Sequence, residues 1–175
     1  MALIHVTLPD GTVNEYAAGI TCEEVITDAL GKKNGCLAAL VDGQQKDMSH
    51  QIEQSCHVEG IKAESEAGMH ILRHSTAHLL AQAVMELYPE AKPTIGPAID
   101  RGFYYDFAMD PITESDLKPI HKKMQEIARR NLPVERIELS DGELREHFAA
   151  NSYKIEIIND KIGEGSGSTI YKPVS

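Results

Sequence analysis

The chain has 175 residues, of which 42% are hydrophobic and 25% charged, which suits one or two small globular domains. No apolar run is long enough to span a membrane and no signal peptide leads the chain, so the cytoplasm is the expected compartment. A formal net charge of −10 excludes an overall basic footprint, so any role with nucleic acid must rest on a local patch or on parts of a larger molecule.

Residues 1–62 read as a small β-rich unit. Leu3 to Leu8 alternates as a strand, Pro9-Asp10-Gly11 supplies a turn, and Thr12 to Tyr16 returns as the second arm of a hairpin. Thr21 and Glu24 form a capping box for a helix that runs to about Leu30 and closes at Gly31. Cys36 to Val41 reads as a strand, Asp42-Gly43 as a turn, Gln44 to Asp47 as its return, and Ser55 to Lys62 as a closing strand. This order predicts a β-grasp, ubiquitin-like domain. Cys22, Cys36 and Cys56 are odd in number and lack a Cys-x-x-Cys spacing, so they read as semi-buried thiols and not as a disulfide or zinc framework.

Residues 63–68 are polar and small and read as a linker leading into the next helix. That helix, from Met69 to near Tyr88, carries His74 and His78 one turn apart. The helical period puts Ile71, Leu72, Ser75, Leu79, Leu80, Ala83 and Leu87 on the expected core face, with the two histidines on its edge. Such a pair can converge on one metal, one water or one substrate atom. A boundary histidine can equally be a half-buried polar residue. No glutamate follows His74, so the zinc-protease signature is absent.

A hairpin is predicted next, from Thr94 to Ile99, through a turn at Asp100-Arg101-Gly102, into an aromatic strand. Alternation sends Phe103, Tyr105 and Phe107 to one face and Tyr104 to the other. A helix from Thr113 to about Asn131 follows, with Pro119 read as lying close enough to its first turn to be tolerated. Its Lys118, Lys122, Lys123, Arg129 and Arg130 are the most basic stretch of the chain; they could meet a phosphate backbone, although a solvated helix face is the more ordinary reading. Val134 to Leu139 reads as a strand, Ser140 as the cap of a helix to about Ala150, and Tyr153 to Ile158 as a strand or short helix. A Gly/Ser loop at 163–168 leads into a last strand at Thr169 to Lys172. No Gly-rich phosphate loop is present.

Arg73-His74-Ser75-Thr76-Ala77-His78-Leu79, Ile95-Gly96-Pro97 and Gly102-Phe103-Tyr104-Tyr105-Asp106, in this order, closely resemble the N-terminal half of bacterial threonyl-tRNA synthetases. Thr7-Leu8-Pro9-Asp10-Gly11 resembles the same family's TGS domain. The resemblance implies an α+β chain: a TGS β-grasp domain at 1–62, a linker at 63–68, and an editing domain at 69–175 of the type shared with alanyl-tRNA synthetases. It implies hydrolysis of serine wrongly attached to tRNA(Thr), and contacts to the tRNA acceptor. The family's site residues carry over to His74, His78, Tyr105 and Lys154, with Lys122, Lys123, Arg129 and Arg130 as candidate tRNA contacts. No metal is assigned; His74 and His78 alone fall short of the usual zinc ligand set, which leaves a metal-dependent hydrolase as a weaker reading. No cofactor is expected in this chain, since ATP, Mg and Zn belong to a synthetic domain that the sequence lacks. The family's homodimer forms through that missing part, so a monomer is expected. The family's Cys-x-x-x-His segment, which would complete the site, lies beyond the position of Tyr171 and is also missing. The chain is therefore expected neither to charge tRNA nor to edit well. The competing reading is a non-catalytic TGS module that binds RNA or a protein partner.

Overall fold

The computed structural model describes residues 2–132, 134–161 and 168–173. The chain forms two compact units, Met1–Leu72 and Arg73–Ser175, which divide within a helix.

In the first unit, β1 (Leu3–Thr7) and β2 (Val13–Ala17) form the expected hairpin. Gly11 sits at φ 85°, the left-handed region that the turn after Pro9-Asp10 demands, and Asp10 caps the turn by accepting the Thr12 N–H. The short β3 (Ile20–Thr21) leads into α1 (Cys22–Leu30). Both arms of the capping box are made: the Thr21 hydroxyl accepts the Glu24 N–H and the Glu24 carboxylate accepts the Thr21 N–H. Then follow β4 (Cys36–Val41), β5 (Gln44–Lys46), β6 (Gln51–Ile52) and β7 (Cys56–Lys62). The main sheet runs β2-β1-β7-β4-β5, with β1 and β7 parallel at its centre. α1 packs Val25 and Ile26 against Ile4, Val6, Ala39 and Val58, which gives the β-grasp core. Cys22 and Cys56 belong to this core and all the cysteines are free thiols; burial, with Cys56 nearby, pushes the Cys22 thiol up to about 11. The small pair β3–β6 was not expected from the sequence, because two-residue strands leave no period to read.

α2 (Glu66–Leu87) starts three residues earlier than its apolar pattern suggests. Its buried positions match the expected face only in part: Ala83 is buried as expected, and Leu80 and Leu87 pack on the core. Ala77, Ala81, Ala83 and Val84 are buried, while Leu72 and Ser75 are exposed. Small alanines let a packed surface approach closely, but they carry little hydropathy, so the larger Ile71, Leu72 and Leu79 pulled the predicted face round the helix. The histidines remain at its margin.

The second unit continues with β8 (Lys92–Pro93), β9 (Ala98–Ile99), β10 (Gly102–Phe103) and β11 (Phe107–Ala108). The expected long hairpin is two nested pairs: β9 with β10 at the tip, around the predicted turn, and β8 with β11 at the base. α3 (Glu114–Arg130) is capped by Thr113 and Asp116 and ends on Asn131 in the left-handed conformation. Pro119 lies in its second turn, deeper than expected, and the helix passes through it unbroken. β12 (Val134–Leu139), α4 (Asp141–His147) and α5 (Ser152–Lys161) follow, and β13 (Ser168–Pro173) pairs antiparallel with β12 along its whole length. α4 is shorter than expected, and α5 resolves the strand-or-helix choice at 153–158 in favour of helix. Residues 163–167 of the predicted loop lie outside the described residues. The core of this unit joins Val84, Ala91 and Ile120, with Leu80, Leu87, Tyr88 and Phe107 packed on them. No described helix is long and apolar enough to cross a membrane.

Candidate active site

The i, i+4 spacing on α2 stacks His74 and His78 directly. Their Nε2 atoms are 3.1 Å apart and their rings meet edge-on, with centroids at 4.6 Å. A hydrogen bond at that distance needs one Nε2 protonated and the other bare, and the tautomers of the two rings set which one donates. Two protonated rings would repel, so the pair holds at most one shared proton along this contact. His78 keeps part of its ring open to solvent. Even so, its pKa is lowered, chiefly by desolvation, then by His74 and by the charge of Lys154. His78 is thus a neutral base near neutral pH.

Lys154, on α5, is close enough for its charge to act on His78. Lys154 is half-buried, and desolvation lowers its own pKa from the ordinary lysine value. Its Nζ stands 5.8 Å from the centre of the Phe148 ring, a cation–π distance. Asn151 precedes α5 and accepts the Lys154 N–H on Oδ1, while its Nδ2 donates to the Pro93 carbonyl of β8.

Tyr105 lies between β10 and β11, in the irregular middle of the double hairpin. Hydrogen bonds from Thr94 N–H to the Asp106 carbonyl and from Asp106 N–H to the Ile95 carbonyl hold this stretch. The Tyr105 ring stacks on Phe107 at 4.9 Å and covers Gly96. A Cβ at position 96 would come within 2.0 Å of the ring, so only glycine fits beneath it. Burial raises the pKa of Tyr105, which keeps its hydroxyl protonated and able to donate. Tyr104 is 48% exposed.

Of the candidate residues, His74 and His78 are in contact, Lys154 acts on His78 through its charge, and Tyr105 stands on the hairpin whose base strand is tied to α5. The basic stretch of α3 divides. Arg130 forms a two-pronged contact to Glu86 at 2.8 Å and also reaches Glu126, and Lys123 pairs with both carboxylates. Those two cations are engaged in fastening α3 to α2, whereas Lys122 and Arg129 are exposed. Among the described residues, no group of three or more His, Cys, Asp or Glu side chains could hold a metal. Sequence reading passed over Phe148 and Asn151, and met Gly96 only as part of the Ile95-Gly96-Pro97 motif. An asparagine immediately before a helix is a capping signal, and it was hidden by the strand-or-helix ambiguity at 153–158.

Residues 4–62 match the family model of the TGS domain. The first unit is a TGS domain. Nearly the whole chain is in turn similar to threonine–tRNA ligases. It is 42% identical over 168 residues to that of Pelobacter propionicus, covering 94% of this chain and 26% of that protein. The ligase of Alkalilimnicola ehrlichii is 44% identical over 172 residues, covering 95% and 26%. That of Thiobacillus denitrificans is 40% identical over 174 residues, covering 97% and 27%. The chain thus spans about a quarter of the length of the curated relatives it matches, and it is homologous to their N-terminal part. The similarity runs on past the TGS domain through His74, His78, Tyr105 and Lys154.

Proposed function

We propose that the chain is the editing-type N-terminal part of a threonine–tRNA ligase, and that its second unit hydrolyses serine wrongly esterified to tRNA(Thr). The observation that carries this reading is the His74–His78 contact, with the charge of Lys154 acting on His78. Threonine and serine differ by one methyl group, worth only about 1–3 kcal/mol in a binding pocket, so a second, hydrolytic site is the chemical remedy.

The residues present can perform ester hydrolysis. A water held by the histidine pair gives its proton to the neutral Nε2 as its oxygen attacks the ester carbonyl carbon. The developing oxyanion accepts hydrogen bonds from the Lys154 ammonium or the Tyr105 hydroxyl. The bond to the ribose oxygen then breaks, that oxygen takes the proton back from the histidine, and serine leaves as the free acid. In this reading threonylation itself, with ATP, Mg and Zn, belongs to the rest of the ligase, as does its homodimer contact, and the reaction takes place in the cytoplasm. Lys122 and Arg129 are the residues of α3 placed to meet tRNA phosphates.

The test is release of serine from Ser-tRNA(Thr) by the 175-residue chain. Slow deacylation above the buffer rate is expected, removed by His78→Ala and by Lys154→Met. A wild-type rate equal to that of buffer alone counts against the reading.

A further inference from the structure

We propose that Asn151 is a positioning residue: its side-chain amide clamps the first turn of α5 to β8, at the base of the hairpin that carries Tyr105, and so fixes where the Lys154 charge stands relative to His78. This rests on the reading of His74, His78, Tyr105 and Lys154 as one site.

The geometry is specific to asparagine. Oδ1 accepts the Lys154 N–H at 3.2 Å, and Nδ2 of the same group donates to the Pro93 carbonyl at 2.9 Å. Aspartate would keep the first bond and lose the second. Serine would keep a capping oxygen but cannot reach Pro93 as well. At the far end of the clamp, Pro93 pairs with Phe107, and its neighbours Thr94 and Ile95 are bonded to Asp106, next to Tyr105. A short path therefore runs from Lys154 through Asn151 and β8 to the segment carrying Tyr105. The turn before α5 adds a second restraint. The Asn151 N–H donates to the Phe148 carbonyl at 2.8 Å, and the Phe148 ring is the one that Lys154 Nζ faces. A plain helix cap needs only the Oδ1 bond. The bond to Pro93 is the additional feature, spanning 58 residues of sequence.

The test separates clamp from cap in the 175-residue chain. Asn151→Ser and Asn151→Thr each keep a capping oxygen and remove the bridge. NMR titrations of His78 and of the Lys154 side chain are followed in both variants, in Lys154→Met, and in each double variant. The expected result is that losing the bridge raises the titration points of both Lys154 and His78. Lys154→Met is expected to raise His78 alone, and adding Asn151→Ser to Lys154→Met to change His78 no further. Ser-tRNA(Thr) deacylation by Asn151→Ser should fall on the order of tenfold or more, in kcat and not in KM. Wild-type titrations in both Asn151 variants would overturn the proposal. So would an equal His78 shift in the Lys154→Met background, because Asn151 would then act without Lys154. If the wild-type chain releases no serine, the editing reading fails, and the titrations still decide the clamp.

Discussion

At the scale of single residues, the histidine pair sets a sign for pH. His78 binds a proton more weakly in the folded chain than the ordinary value of 6.5. The unfolded chain therefore holds more protons between 6.5 and the lower folded value. Stability from this group is fully present above that window and is lost as pH falls through it. In His78→Gln, the difference in unfolding free energy between neutral and mildly acid pH should shrink relative to wild type, as read by urea unfolding at several pH values. An unchanged pH profile would show that His78 titrates normally. Both histidines were legible in the sequence as a spaced pair. Their company with Lys154 came only through the family resemblance and not from the local pattern, because it depends on α5 being a helix, and Tyr153 to Ile158 carries apolar residues that suit either period.

At the scale of elements, the hairpin shows what residue alternation can and cannot reveal. It correctly placed Tyr105 with Phe107, and it located the turn. It missed the break into two nested pairs, between which the Tyr105 ring occupies the space where residue 96 would place a side chain. Gly96→Ala should therefore either displace the ring or strain the strand, at a cost of about 1–3 kcal/mol as for overpacked sites. Thermal unfolding with the Tyr105 ring resonances followed in parallel reads both outcomes; an unshifted ring and melting point would contradict the close fit. α2 teaches the reverse lesson. Its periodicity correctly identified a helix, yet its buried side is built from alanines, which a hydropathy pattern undervalues. The TGS unit was the most readable part, since its capping box, its turns and most of its strands each had a local signal that the tertiary structure kept.

At the scale of the whole molecule, net charge and a basic helix pull in opposite directions, and the ion pairs of α3 decide between its cations. Arg130 and Lys123 neutralise Glu86 and Glu126, while Arg129 and Lys122 face solvent. Arg129→Ala should weaken tRNA binding and reduce its salt slope by about 1, whereas Arg130→Ala should leave the slope unchanged and loosen α3 from α2. Binding isotherms at several salt concentrations check this, and equal slopes for the two variants would contradict it. The sequence marked the stretch as basic but could not show which charges the fold had already paired, because Glu86 lies 44 residues from Arg130.

The central claim is that His74, His78, Tyr105 and Lys154 receive a seryl group at the end of tRNA. The most direct measurement is an NMR titration of the chain with a non-hydrolysable adenosine carrying serine through an amide at the 3′ position. Saturable shifts are expected at the rings of His74, His78 and Tyr105 and at the Lys154 side chain, tighter for the seryl than for the threonyl analogue. Saturation elsewhere, with those four residues unmoved, would contradict it.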